Sequence, residues 1–334
     1  MTANQVTLAR IAFLPIPSAL LLFADSSWNW VAFLLFVFLG MTDFIDGVMA
    51  RREGPTKLGG LLDPVADKIM MAAITLSLAG NGWISFWVPA AILSREFLLT
   101  VLRSSVAFRG QQVKTSILAK IKTVIQMGGF GTVFMTLFLS RQAALYVSVF
   151  WLFFFTAIWA YYALWKRQIA PYWAMPVAGA FLYWFWLLQL CSSQTAILCQ
   201  CIVIVGITWI SAFDYLKTSY AVLKSSGLDR RDGVRLFWAL SHSVLSVSVA
   251  SLNSKFIIPV LVSIAFELGL GGIDNIAVSE NKSLDLRIFL STGLIACLFA
   301  VSQTQFTALL LIPVSLIACT IASREVTWRF FPDQ

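Results

Sequence analysis

Charge is scarce in this chain. Asp, Glu, Lys and Arg make up 12% of its 334 residues, where a soluble domain carries about 25%, and 59% of the residues are hydrophobic. That balance excludes an ordinary soluble globule and a disordered chain alike. Histidine occurs once, as His242, so no histidine-based triad and no His-rich metal site is available. The five cysteines, Cys191, Cys199, Cys201, Cys297 and Cys319, lie in apolar stretches, where thiols act as small hydrophobes. Cys199-x-Cys201 has no second pair to complete a zinc site, and no disulfide framework is indicated. No period of 20–50 residues repeats along the chain.

What the chain has instead is long apolar blocks. A membrane-crossing helix needs about 20 such residues. The blocks predict an all-α polytopic transmembrane bundle of about twelve spans: 10–24, 28–50, 62–79, 83–102, 118–139, 144–165, 172–191, 195–216, 235–252, 256–278, 285–302 and 305–323. Residues 11–23 resemble a signal-peptide core, but Arg10 alone precedes them, Pro15 and Pro17 interrupt them, and no small-residue cleavage site follows. They read as a retained first helix.

The net charge of +8 does not point to nucleic acid, because the basic residues sit in short clusters between apolar blocks. Cytosolic loops of membrane proteins carry the excess of Lys and Arg. With a cytosolic N-terminus, only Arg141 and Lys255 of the 24 basic residues fall on the outer side, and Arg95 lies within a span. Both termini are therefore expected in the cytosol. Twelve spans in that orientation are also a common transporter layout, which leaves a transport or lipid-handling protein as the alternative class. The longest polar stretch, 224–235 (KSSGLDRRDGVR), divides eight spans from four. We read 1–227 as one membrane domain. Residues 228–334 form an accessory bundle that packs on it or mediates self-association, as in a homodimer.

The chemistry is concentrated at the cytosolic end of the second span. Asp43 and Asp46 are three residues apart, and Asp63 and Asp67, past a short Gly/Pro loop, are four apart. Each pair shares one helix face, and two antiparallel helices bring all four carboxylates together. Such a cluster needs cations, and carboxylate oxygens suit hard divalent ions, Mg²⁺ above all. Gly47 and Gly59 leave room on that face for a bulky group to approach the backbone. The bland reading is a set of helix caps or a solvated rim. Asp63 before Pro64 does look like a helix start, but a cap needs one acid, not four.

These residues resemble the signature of the CDP-alcohol phosphotransferase family, D-x-x-D-G-x-x-A-R followed by G-x-x-x-D-x-x-x-D. Asp43, Asp46, Gly47, Ala50, Arg51, Gly59, Asp63 and Asp67 fill every fixed position, and the spacer after Arg51 holds seven residues where eight is expected. The resemblance implies that Asp43, Asp46, Asp63 and Asp67 hold two divalent ions, Mg²⁺ with Mn²⁺ as a substitute. Asp67 would also be the catalytic base, and Asn4, Gly47, Ala50, Arg51 and Gly59 would line the CDP pocket.

Further stretches are similar to the phosphatidylglycerophosphate synthase branch of that family. They are Asn4-x-x-Thr7-x-x-Arg10, Ser94-Arg95-Glu96, Ala119-Lys120-x-Lys122-Thr123-x-x-Gln126 (with Ala119 in place of a glycine), and the segment ending in Asp214-Tyr215. The match to the family's last helix falls in the eighth span, so about 144–192 reads as an inserted helical pair. The branch implies CDP-diacylglycerol and glycerol 3-phosphate as substrates, membrane lipids as surroundings, and an active site on the cytosolic face of the inner membrane. Inositol phosphate, inositol or serine remain alternative acceptors. Arg95, an ionisable residue within a span, is a functional candidate. With Arg103, Lys120 and Lys122 it could accept the phosphate of the soluble substrate. Plain readings stay open too: positive-inside charge for Lys120 and Lys122, and a buried ion pair for Arg95. Glu96 is adjacent to Arg95 but projects in another direction, so a direct pair between them is not expected.

Overall fold

The computed structural model describes residues 2–54, 59–109, 117–165, 174–227 and 230–279, and every regular element among them is helical. Helix α1 (Ala3–Phe13) opens with a capping box, in which the Thr2 side chain accepts from the Gln5 backbone and the Gln5 side chain accepts from the Thr2 backbone. Leu14 joins it to α2 (Pro15–Phe23), with Pro15 at the first helical position, where its missing N–H does no harm. Helix α3 (Asn29–Glu53) ends at Gly54, whose φ of +92° suits glycine. Helix α4 (Gly59–Gly80) begins one turn before the Asp63-Pro64 pair, so Pro64 lies inside the helix and the Gly60 carbonyl lacks its usual donor.

The remaining helices are α5 (Trp87–Phe108), α6 (Ile117–Phe138), α7 (Arg141–Ala160, running into a π turn at Tyr161–Trp165), α8 (Ala174–Leu190), α9 (Ser193–Ser226), α10 (Arg230–Leu252) and α11 (Ile257–Ser279). With α1–α4 they are helices at the positions of the first ten expected spans. The two spans expected at 285–302 and 305–323 lie outside the described residues. Ala3–Phe23, Ser26–Ala50, Arg141–Leu164 and Ser193–Ser226 are long and apolar enough to cross a membrane, and Ala174–Leu190 and Ala239–Leu252 are shorter apolar helices. The chain is a helical membrane protein.

The helices form two compact units, Met1–Gln112 with Ser219–Gln334, and Val113–Thr218. In the first, α4 is the centre. Residues 69–79 are buried without a break, as expected of a helix apolar on all sides, and α1, α2, α3, α5, α10 and α11 pack on it. Gly80, at its end, lies so close to the terminal methyls of Ile257 of α11 and Leu22 of α2 that a Cβ there would push them aside. Ser94 of α5 and Ser243 of α10 share a 2.9 Å hydrogen bond. Residues 230–279 thus pack in the same compact unit as the acidic motif.

In the second unit, α7 and α8 form an antiparallel hairpin. Arg141 at the start of α7 donates to the Gln189 carbonyl near the end of α8 at 3.2 Å. The aromatic residues of 144–192 divide: Trp151, Phe155 and Phe181 stack on one another and buried Trp184 donates to Thr136 of α6 at 2.9 Å, whereas Tyr146, Phe150, Phe153 and Trp186 are exposed. Gln126 donates to Thr208, joining α6 to α9.

Candidate active site

Three helices build the site. The spacing of Asp43 and Asp46 on α3, and of Asp63 and Asp67 on α4, turns each pair to one face. Helix α1 packs against both and contributes the two residues that join the pairs. Arg10 is fully buried. Its Nη1 donates to Asp43 Oδ1 at 2.8 Å and stands 3.6 Å from Asp67 Oδ1, and its Nη2 donates to Asp46 Oδ2 at 3.2 Å. The Thr7 hydroxyl, also buried, lies 3.0 Å from Asp46 Oδ2 and 3.2 Å from Asp63 Oδ1. All four acids therefore meet one guanidinium or one hydroxyl.

Burial grades across the cluster. Asp46 is 3% exposed and forms the floor with Thr7 and Arg10, whereas Asp43 at 48% and Asp67 at 40% stand at the open mouth. Lys68 directs its ammonium to Thr100 of α5 at 2.7 Å. Among the described residues Arg10 thus meets three of the carboxylates and Thr7 the fourth, and a buried, uncompensated negative charge is costly. The set has the chemistry of a hard-cation site, with anionic oxygens supplied from two helices. Among the described residues no three of the acids are already drawn together as a metal site; Asp43, Asp46 and Asp67 instead share the Arg10 guanidinium.

Arg10 and Thr7 were legible only as part of a resemblance, and the sequence reading placed Arg10 among the flanking cytosolic charges. The signal was available: Arg10 stands inside the apolar run Ala3–Phe23, where an arginine needs a partner. Of the residues expected to contact CDP, Gly47 and Ala50 continue the Asp43–Asp46 face by one turn. A Cβ at Gly47 would meet nothing within 4 Å, so the space beside it is open. Gly59 opens α4, and Asn4 is half-buried on α1. The side chain of Arg51 lies outside the described residues.

The cationic candidates divide. Arg95 is buried on α5 and pairs with Glu96, Nη1 to Oε1 at 2.8 Å. This corrects the expectation that the two would not meet. Neighbouring helix positions point about 100° apart, but a guanidinium on its long stem folds across that angle, and two buried charges left unpaired would cost far more. Arg103 is exposed on the same helix. Lys122 is half-buried on α6 in the second unit, and the Lys120 side chain lies outside the described residues.

The sequence profile of the CDP-alcohol phosphatidyltransferases matches residues 1–184, more than half of the chain. The chain belongs to the CDP-alcohol phosphatidyltransferase family. Similar relatives include CDP-diacylglycerol–glycerol-3-phosphate 3-phosphatidyltransferases of Rickettsia typhi (37% identical over 125 residues, 37% of this chain and 70% of that protein), Bacillus subtilis (35% over 138 residues, 37% and 71%) and Yersinia pestis (38% over 130 residues, 37% and 70%). No solved structure matches. Members of this family use divalent metal ions, which agrees with the donor chemistry around Arg10.

Proposed function

We propose that this phosphatidyltransferase moves the phosphatidyl group of CDP-diacylglycerol to the free primary hydroxyl of glycerol 3-phosphate, releasing CMP and forming phosphatidylglycerol phosphate. The observation that carries the reading is the gathering of Asp43, Asp46, Asp63 and Asp67 around Arg10 and Thr7. The relatives' names supply the acceptor.

In this reading the four acids hold two Mg²⁺ ions, with Mn²⁺ as a substitute. Bound there, the metal supplies Lewis-acid stabilisation of the pyrophosphate and of the departing CMP. The chain's own groups do the rest. Arg10 and Thr7 fix the carboxylates of both helices in one arrangement before substrate arrives, the preorganisation that electrostatic catalysis requires. Gly47, Ala50, Arg51 and Gly59, with Asn4, form the CDP side, and the open space beside Gly47 admits the nucleotide. Asp67, at the exposed mouth, takes the proton of the acceptor hydroxyl as its oxygen bonds to the lipid-bearing β-phosphorus and the bond to the CMP phosphate breaks. A carboxylate is a weak base for an alcohol, so positioning and charge stabilisation carry most of the rate.

We assign Arg95, Arg103, Lys120 and Lys122 to the acceptor phosphate. We place the active site on the cytosolic face of the inner membrane, in a chain of about twelve spans with both termini cytosolic. The catalytic machinery is assigned to 1–227, and 228–334 to its support or to self-association.

The test is CMP release by the purified full-length protein with CDP-diacylglycerol, Mg²⁺ and, in separate reactions, glycerol 3-phosphate, inositol phosphate, inositol and serine. Release with glycerol 3-phosphate alone is expected. Release only with another acceptor would reassign the substrate, and none with any acceptor would overturn the reading.

A further inference from the structure

Asp43, Asp46 and Asp67 each place an oxygen against Arg10. Asp63 does not. Its one hydrogen-bond partner among the described residues is the Thr7 hydroxyl, 3.2 Å from Oδ1. The same hydroxyl stands 3.0 Å from Asp46 Oδ2. Arg10 therefore joins Asp67 of α4 to the acids of α3, and Thr7 joins Asp63 to them.

The Thr7 bridge is held in place from behind. Thr7 is 1% exposed, and its hydroxyl also lies 3.2 Å from the Ala3 carbonyl one turn back, a local contact that fixes a threonine rotamer in a helix. Ala3 lies within the capping box of Thr2 and Gln5, so the cap that starts α1 also sets where the hydroxyl stands. A hydroxyl carries one hydrogen, and here three acceptor oxygens surround it. Thr7 thus keeps Asp63 beside Asp46 without being able to satisfy both.

Each contact with α1 also uses only one oxygen of its carboxylate. Asp43 Oδ2, Asp46 Oδ1 and Asp63 Oδ2 take part in no hydrogen bond among the described residues. Orienting a carboxylate through one oxygen while the other is left for a cation is what outer-shell residues do around metal ligands, and losing such a residue typically costs about 10- to 100-fold in metal affinity.

We propose that Thr7 is a positioning residue for the metal ions: by holding one oxygen each of Asp46 and Asp63, it sets the affinity of the acidic site for divalent metal. The inference rests on these acids being metal ligands and is independent of which acceptor the enzyme uses.

The probe is Mn²⁺ alone, without lipid substrate, titrated into the purified, chelator-treated full-length protein and followed by the electron paramagnetic resonance signal of the free ion. Thr7→Val, which keeps the shape and removes the hydroxyl, should bind Mn²⁺ about 10- to 100-fold more weakly. Thr7→Ser, which keeps the hydroxyl, should recover most of that affinity. Mn²⁺ binding that Thr7→Val leaves unchanged would overturn the inference alone, whatever happens to its Tm. Equal weakening by the valine and serine variants would also overturn it, since the methyl group and not the hydroxyl would then matter. No Mn²⁺ binding by the unaltered protein would overturn the inference together with the assignment of the four acids as metal ligands.

Discussion

Arg109 Nη2 stands 2.6 Å from Asp232 Oδ2, tying the residue after α5 to the first turn of α10 across 123 positions of sequence. The same guanidinium donates to the Ser105 and Gly227 carbonyls and to the Ser226 hydroxyl. Both charged side chains are largely buried, where an ion pair is screened much less than at the surface. Arg109→Ala and Asp232→Ala should each destabilise the protein. A double-mutant cycle on unfolding in detergent should give a coupling of about 0.5–3 kcal/mol; additive losses would show that the pair does not fasten α10.

A second tie between the motif helix and the C-terminal helices is steric. Gly80→Ala places a methyl against Ile257 and Leu22, and overpacking of this kind costs about 1–3 kcal/mol. The apparent Tm should fall; Ile257→Ala should lower it as well, since it empties a fully buried site, and the two losses should be less than additive in the double variant. An unchanged Tm for Gly80→Ala would mean that α11 is free to shift away from α4.

Removing Arg10 leaves Asp46 buried without its cation. Breaking a buried pair in this way costs about 3–5 kcal/mol, so Arg10→Ala should unfold at markedly lower denaturant and release CMP at a small fraction of the normal rate. Arg10→Lys should rescue little of either, since one ammonium cannot reproduce a planar fork shared among Asp43, Asp46 and Asp67. Full rescue by lysine would reduce the role of Arg10 to simple charge.

For the acids, Asp43→Asn, Asp46→Asn, Asp63→Asn and Asp67→Asn should each lower CMP release by at least ~10²-fold, the scale of losing a general base or a key electrostatic stabiliser. EDTA should abolish it and added Mg²⁺ restore it. Near-normal turnover by Asp67→Asn would remove that residue from the role of base.

The Arg95–Glu96 pair separates two roles for Arg95. If its guanidinium reaches the acceptor phosphate, Arg95→Ala should raise the KM for glycerol 3-phosphate with that for CDP-diacylglycerol little changed. Glu96→Gln, which keeps the arginine, should do so less. Equal damage from both variants on both substrates would make the pair a structural one.

The helices and the acid motif were legible in the sequence because both depend on short-range spacing: apolar run length sets the spans, and intervals of three and four residues set the faces of α3 and α4. What joins the pairs was not legible. Arg10 meets Asp43 across 33 positions and Thr7 meets Asp63 across 56, and no local periodicity encodes such contacts. The Arg95–Glu96 pair was missed for the opposite reason, since adjacency was judged by backbone direction and not by side-chain reach. The polar stretch at 224–235 marked a composition change correctly but gave no sign that Asp232 within it folds back onto Arg109.

The order in which the ribosome delivers these residues gives Arg10 another consequence. The arginine is made before any of the carboxylates that surround it, so α1 emerges ahead of the acids that will pair with its buried charge. Settling it inward is favourable only once α3 has followed with Asp43 and Asp46. Helix α1 therefore acquires its buried ion pairs only after the later helices α3 and α4 have been made, and the anionic centre depends on a helix that precedes every one of its acids.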